Sequence, residues 1–509
     1  MDDAVCASSE KSAAVSEPVP FVKNGTGRTL VVSTPYQPAD IPREIGHEAY
    51  SYHFVYKSLA PLLARWGTLQ DIDRPESRLD YAIWNARKQN QQPFHLSMLP
   101  LHMTYLTPHA PAAAFPFWEF PDIPNTNLDN NPRNNWVHIA DRLDLLLTAC
   151  RFTRDSFIRA GVKTPIEVVP VPIKDHYFNV NQWHAGQRVV IDAPAYIFPE
   201  PEAPQIVVNP WKPGGGVKEK LLTQIRHGYK VSVRPRLPAF FDRSMSLAFR
   251  LAHTYRTAHK EETHVLAQPS PQLTLDGVVY TTIFNPFDER KNWIDLLTGF
   301  LHAFADRADA LLVVKLVLPA KLLVPGFNQV LKFYRKLGVS HKCRLAFLPS
   351  YLTDEQMADL VRGSTYYVNT AKAEGSCLPL QDYLAAGRPG VAPIHTAFAD
   401  YFDQNIGFPL QSHPEPACWP HDKAKRQTTS WHRLVWQSWF DQLHASYDLA
   451  KGNAAGYEAM SARARERMDG YASSSKVWPR LQKALDILAT KRVIEAPAPA
   501  EALALRRAS

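Results

Sequence analysis

Gly277-Val-Val-Tyr-Thr-Thr-Ile-Phe284 is a short run of apolar and β-branched residues, the composition of a strand buried on both faces of a sheet. Helical spacing follows over 293–304, and the alternation then continues. Leu311-Leu-Val-Val-Lys-Leu-Val317 precedes a helix near 327–337. Arg344-Leu-Ala-Phe-Leu348 precedes a helix over 354–361. Tyr366-Tyr-Val-Asn369 precedes a helix over 380–386, and Gly390-Val-Ala392 closes the series. Strand–helix alternation sustained this long predicts a doubly wound parallel sheet.

Working toward the N-terminus, the same logic gives a second unit. Thr29-Leu-Val-Val-Ser33 reads as a buried first strand, and 45–66 carries apolar residues at helical spacing, with Gly46 near its start. Asp144-Leu-Leu-Leu-Thr148, a helix over 153–160 and Ile166-Glu-Val-Val-Pro170 form another strand–helix–strand series. The expected fold class is therefore α/β, with a leader over 1–26 and Rossmann-like domains at 27–173 and 277–430. Helices over 431–491 should pack back across both domains, and 492–509 reads as a flexible tail. Between the domains, 174–276 shows no repeat and reads as a basic insertion. It holds eleven Lys and Arg against two acids over 211–260, and an amphipathic piece over 240–255.

Bulk properties narrow the class. The chain has 509 residues and a formal charge of +8, which asks for more than one core and admits an anionic partner. Cys6, Cys150, Cys343, Cys377 and Cys418 are scattered, with no CxxC pair. That argues against a disulfide framework or structural zinc and for a reducing, cytoplasmic compartment. No run approaches the ~18 apolar residues of a membrane span.

The chemistry concentrates in Ala373-Glu-Gly-Ser-Cys-Leu-Pro-Leu-Gln-Asp-Tyr-Leu-Ala-Ala-Gly-Arg-Pro389, which leaves a strand and enters a helix. Open α/β sheets bind ligands beyond the C-terminal ends of their strands, and a helix start offers N–H groups to an anion. Glu374 and Asp382 there are carboxylates suited to hydroxyls of a sugar and of a ribose, each contact worth on the order of 1.5–3 kcal/mol. Arg290-Lys-Asn292 places two cations at a helix start, against the helix dipole, an arrangement that a bound diphosphate would make sensible. Glu119, in Phe117-Trp-Glu-Phe-Pro121, and His109 are acceptor-side candidates.

Together these segments resemble retaining, family-4-type glycosyltransferases of the GT-B fold, in which two Rossmann-like domains face a central cleft. The resemblance rests on Glu374-Gly-Ser-Cys-Leu-Pro379, Asp382 eight positions on, Ala386-Gly-Arg-Pro389, Arg290-Lys-Asn292, and the strand and loop Phe347-Leu-Pro-Ser-Tyr-Leu-Thr-Asp-Glu355. The first domain is similar less specifically, through 143–153, 160–162 and 168–173.

The resemblance implies roles. Glu374 meets the transferred sugar; Glu119, read from its own loop and not from the family pattern, is a candidate general base or acceptor-hydroxyl binder. Gly375, Ser376, Cys377 and Leu378 offer backbone N–H groups, Asp382 binds the ribose, and Arg290 and Lys291 bind the diphosphate. The backbone at Tyr351 and Leu352 holds the base. No Gly-Gly-x-Gly loop of the family's kind follows the first strand; Pro42-Arg-Glu-Ile-Gly46 stands there instead, with Gly46 as the candidate phosphate neighbour. The resemblance implies no metal and no cofactor. The expected partners are a nucleotide-diphosphate sugar, a glycan or lipid-linked glycan acceptor, and an anionic membrane surface touched peripherally, with no nucleic acid. The chain departs from the family pattern at Asp382, where Glu is usual, and at Ser376, where an aromatic is usual. Two other readings follow from the residues: a nucleotide-sugar-binding relative without turnover, and a basic membrane-surface or nucleic-acid binder.

Overall fold

The computed structural model describes residues 26–35, 50–199 and 269–491, save 421, 423 and 424. Gly46, the basic stretch 211–260, the leader through 25 and the tail from 492 lie outside the described residues.

The first sheet comprises β1 (Arg28–Ser33), β2 (Thr68–Ile72), β3 (Gln92–Ser97), β4 (Ala112–Ala114), β5 (Leu145–Thr148) and β6 (Ile166–Val168). All neighbours pair in parallel in the order β2-β1-β3-β4-β5-β6. The connections to β2 and to β3 leave β1 in opposite directions, so the switch point lies between β1 and β3. Helices α1 (Tyr50–Trp66), α2 (Pro75–Lys88), α3 (Trp136–Ala140) and α4 (Arg151–Arg159) lie among these strands in the chain.

The crossover holds a short helix, α5 (Asp175–Phe178), then β7 (Val189–Ile191), β8 (Tyr196–Phe198) and, beyond the undescribed stretch, β9 (Leu273–Leu275). The second sheet is built on β10 (Val278–Phe284), β11 (Ala310–Leu316), β12 (Arg344–Leu348), β13 (Tyr366–Val368), β14 (Gly390–Pro393) and β15 (Gly407–Leu410). Its order is β15-β14-β13-β10-β11-β12-β8, parallel throughout except for the edge strand β8. Every residue of β11 is buried, as expected for a parallel strand covered on both faces. The chain runs from β10 outward to β12 on one side and from β13 outward to β15 on the other. The switch point therefore falls between β10 and β13.

This sheet corrects the expected boundaries. Residues 189–191, 196–198 and 273–275, read from sequence as insertion, are strands. β8 pairs antiparallel with β12, and β7 pairs with β9. Three-residue strands carry too little pattern to stand out by periodicity. The stretch read as helix from 431 begins instead in β17 (Thr428–Leu434), antiparallel to β16 (Ser412–Cys418), with Trp431 opposite Glu415. Cross-strand pairing over the length of the hairpin takes Trp431 into a strand, while Trp436 and Trp439 lie on the helix that follows.

Helices α6 (Trp293–Ala303), α7 (Ala320–Leu337), α8 (Asp354–Gly363) and α9 (Leu378–Ala385) alternate with the strands of the second sheet. Three helices then close the molecule. α10 (Trp436–Gly452) packs on α6 and β15, α11 (Ala454–Ala472) on α9, and α12 (Ser474–Ala489) on α1 and β5 of the first domain. One apolar cluster accordingly runs from Leu30 and Leu63 through Tyr383 and Ala385 to Leu481 and Leu485. The Trp66 indole donates to Asp486 at 2.9 Å across this junction. The turn after α9 depends on Gly387, whose φ is +68°. A Cβ there would sit 2.6 Å from Ser461 Oγ, which bonds the Gly387 carbonyl. The result is two Rossmann-like domains tied together by the crossover and the last helices, the GT-B arrangement. No described helix is long and apolar enough to cross a membrane.

Candidate functional site

The loops after β10 and β13 flank the switch point of the second sheet, and they carry the two motifs singled out in the sequence. Their backbones are joined directly: Lys372 N–H donates to the Arg290 carbonyl at 2.7 Å, and Thr370 Oγ1 donates to the Asn292 carbonyl at 3.0 Å. Arg290, Lys291 and Glu374 are thereby brought into contact although they are 83–84 positions apart. Lys291 Nζ lies 2.6 Å from Glu374 Oε1, and Arg290 Nη1 lies 3.0 Å from Glu374 Oε2 and 3.0 Å from the Ala373 carbonyl.

Glu119 reaches the same point from the other domain. The loop after β4 carries it to 2.9 Å from Arg290 Nε, and Asp288 lies 3.1 Å from that nitrogen, neither with the alignment of a hydrogen bond. Three carboxylates thus surround two cations, leaving a formal charge of −1 on the cluster. The side chain of Glu374 is 5% exposed. Burial alone would raise its pKa, but Lys291 and Arg290 outweigh it and hold the carboxyl at about 2. Burial acts against the charge of Arg290 too, and Asp288, Glu119 and Glu374 together more than restore it.

The Glu374 backbone is pinned on both sides. Its N–H donates to Thr396 Oγ1 at 3.1 Å, and its carbonyl accepts from Ala397 N–H at 3.2 Å. Thr396, Asn292 and Cys377 all have positive φ, at 51°, 50° and 59°. Non-glycine residues pay on the order of 1–3 kcal/mol each for such a conformation, and such outliers cluster at ligand-binding sites. Here Asn292 starts α6, Cys377 starts α9, and Thr396 pins Glu374.

Gly375 approaches the first domain closely, for a Cβ there would meet the Trp118 carbonyl at 3.3 Å. Cys150 Sγ also lies 3.4 Å from the Gly375 carbonyl. The Ser376 carbonyl accepts from Gln381 Nε2 at 2.9 Å and from Tyr401 Oη at 3.0 Å, which fixes the peptide plane leading into α9. The amides of Cys377 and Leu378 stand at a helix start, where no intrahelical acceptor exists. Cys377 Sγ accepts from Asn369 Nδ2 at 3.3 Å, and burial pushes its thiol pKa well up, so it is not a thiolate nucleophile.

Asp382 lies apart from this cluster. It sits on α9, which packs against α5 of the crossover, and its carboxylate has no hydrogen bond or ion pair among the described residues. Burial pushes its pKa up to about 7, with Lys174 acting in the opposite sense. Lys174 in turn pairs with Asp354 at 3.3 Å, and Lys57 of α1 pairs with Asp354 at 3.0 Å. Asp354 opens α8 directly behind the loop expected to hold the base, so Asp382 and that loop share one neighbour. Tyr351 in the loop is 48% exposed, whereas Leu352 is buried among Leu348, Leu360 and Val313, which leaves only its backbone for a ligand.

One candidate falls away. His109 precedes β4 by three residues and therefore lies at the N-terminal edge of the first sheet, opposite the edge that faces the cleft. The Arg87 guanidinium at the end of α2 holds its carbonyl. Read from sequence as a loop histidine, His109 carries no local signal for which edge of the sheet it lies on. Gly46 lies outside the described residues. Conversely, Asp288, Lys174 and Thr396 went unnoticed in the sequence. Asp288, two positions before Arg290, was the one with a legible signal.

No protein-family model and no curated protein matches the chain. Among solved structures it is similar to HepE of Anabaena in complex with UDP, at 10% identity and a TM-score of 0.48, covering 90% of this chain and 99% of that one. It is also similar to α,α-trehalose 6-phosphate synthase from Burkholderia multivorans, at 11% identity and a TM-score of 0.46, covering 91% and 98%. A glycosyltransferase from Rickettsia africae aligns at 10% identity and a TM-score of 0.49, covering 91% and 99%.

Proposed function

We propose that the chain is a retaining glycosyltransferase that moves a sugar from a nucleoside-diphosphate donor to a glycan or lipid-linked glycan, in the building of a surface polysaccharide. The observation that carries this reading is the meeting of Glu374, Arg290 and Lys291 at the switch point of the second sheet, beside the start of α9.

The chemistry follows from the charges. Breaking the bond between the anomeric carbon and the diphosphate puts negative charge on the leaving phosphate. Lys291, Arg290 and the amides of Ser376, Cys377 and Leu378 are fixed donors beside that position, so they need not reorganise as the charge develops. Glu374 has lone pairs left over from its two cations, and these suit hydroxyls of the transferred sugar. Donor entry is then an exchange. The phosphates take over part of the hold on Lys291 and Arg290, and sugar hydroxyls replace what Glu374 gives up. Glu119 stands on the acceptor side of Arg290, where it orients the guanidinium and faces the incoming hydroxyl. Asp382 takes the ribose, and the loop at 351–352 takes the base. The site as read uses no metal and no cofactor. The compartment is cytoplasmic, with the basic stretch 211–260 as the surface for an anionic membrane.

The test is direct. Purified protein is screened by thermal shift against nucleoside diphosphates and their sugars, since a ligand that binds only the native state stabilises it. The stabilising sugar nucleotide is then assayed for transfer and for hydrolysis. Lys291→Ala is expected to weaken both donor and diphosphate product; unchanged product affinity removes the diphosphate from this position. A second reading, a nucleotide-sugar-binding relative without turnover, is favoured by the cluster itself, whose cations are already neutralised by carboxylates. Tight donor binding with neither transfer nor hydrolysis would establish it.

A further inference from the structure

Lys315 is a buried cation that the site described above does not use. It is the penultimate residue of β11, the central strand between β10 and β12, and it is 7% exposed. Its register partners are Ile283 on β10 and Leu348 on β12. Side chains alternate along a strand, so Lys315 shares the face of Leu311 and Val313, which pack with Leu348, Leu352 and Leu360. An ammonium in such company is costly, and among the described residues it has no carboxylate partner. Among those residues the ammonium has one hydrogen bond, to the Leu316 carbonyl at 2.8 Å. That carbonyl is one residue further along the strand, so the bond draws the ammonium toward the C-terminal edge. Three donors and a single acceptor leave two N–H groups for something else.

The strand order says where those two donors stand. Along the C-terminal edge the sequence of strands is β13, β10, β11, β12. In the reading above, β13 delivers Glu374 to the sugar, β10 delivers Lys291 to the diphosphate, and β12 leads into the loop for the base. Lys315 tops the strand between the last two, one strand spacing of about 4.8 Å from each. Burial moves its pKa down to about 8, so it carries its charge at neutral pH and gains from an acceptor brought by a ligand.

We infer that Lys315 is a donor-recognition residue: its ammonium hydrogen-bonds an oxygen of the nucleoside diphosphate, on a phosphate or on the base, between the Lys291 position and the 351–352 loop. The inference rests on the glycosyltransferase reading and adds a contact to it. Lys315→Met keeps the volume and removes the charge from apolar surroundings, so the variant should fold and melt no lower than the parent. Affinities of UDP and GDP are then measured by calorimetry for both proteins, with inorganic pyrophosphate and the matching nucleoside monophosphate as separate arms. The expected result is a loss of about tenfold or more for the nucleoside diphosphate that the parent binds. A parallel loss for pyrophosphate assigns the contact to phosphate; a loss for the monophosphate with pyrophosphate unchanged assigns it to the nucleoside end. Binding in the parent with an affinity within twofold in Lys315→Met overturns this inference alone. A parent that binds neither diphosphate overturns it together with the reading beneath it.

Discussion

Glu374→Gln separates what the cluster does for the fold from what it does for a ligand. The substitution keeps the shape of the side chain and one acceptor oxygen but removes a charge that is 5% exposed and lies 2.6 Å from Lys291 and 3.0 Å from Arg290. Arg290 retains Glu119 and Asp288, whereas Lys291 loses its ion-pair partner. Removing one member of a buried pair costs roughly 3–5 kcal/mol; the surviving amide acceptor puts this case at the low end. For a domain of this size that lowers the melting temperature by roughly 6–12 °C. Because the folded carboxyl titrates at about 2, below its ordinary 4.5, its stabilisation is complete above pH 4.5 and is lost as the pH falls toward 2. The parent should therefore lose stability more steeply over that window than Glu374→Gln does. Transfer should fall by on the order of 10²–10³. Affinity for the diphosphate product should hold or improve, because a competing carboxylate charge is gone. Melts from pH 2 to 7, transfer rates and product calorimetry on the two proteins decide the matter. Near-normal transfer, or product affinity falling with the melting temperature, would refute the reasoning.

Glu119→Gln removes the charge that the first domain sends to Arg290 at 2.9 Å. Small-angle scattering of the ligand-free variant should show a more open pair of domains, and an unchanged profile would make the contact incidental. Asp382→Asn should flatten the pH dependence of donor affinity. In the parent the carboxyl ionises near 7, so affinity for a ribose-bearing ligand rises with pH through that value, and equal slopes in the two proteins would exclude Asp382 from ribose binding. Thr396→Ala removes the hydroxyl that accepts from Glu374 N–H while keeping positive φ on a Cβ-bearing residue, whereas Thr396→Gly removes both hydroxyl and strain. The glycine variant should be the more stable of the two by about 1 kcal/mol in urea melts, with transfer reduced in both at unchanged donor affinity.

The second domain was legible in the sequence because its strands are buried on both faces and so are written as unbroken apolar runs. The runs at 277–284, 311–317 and 344–348 each match a strand to within one residue at either end. The first domain was less so. β4 is Ala112–Ala114, three small residues with no pattern to read, and α2 carries Tyr81 and Trp84 on its exposed side, which blurs its apolar stripe. The hairpin of β16 and β17 escaped for another reason. Ser412–Cys418 contains Pro414 and Pro416, which argue against a strand by composition, and a two-stranded ribbon at the periphery tolerates them.

The site was legible in its parts and not in its balance. Local sequence gave Glu374, Arg290 and Lys291, and topology brings them together because the loops after β10 and β13 flank a switch point. What no local pattern carries is who neutralises whom. Read alone, two cations at a helix start ask for an anion from outside, yet Glu374, Asp288 and Glu119 supply it from within, one of them from the other domain. A cluster with a formal charge of −1 admits a diphosphate only if a carboxylate gives way. Glu374 holds both cations, so on the proposed reading it is the group whose partners would change on donor entry. Its backbone is fastened to Thr396, a residue at positive φ, so on the proposed reading the carboxylate would stay in place while its hydrogen bonds exchange.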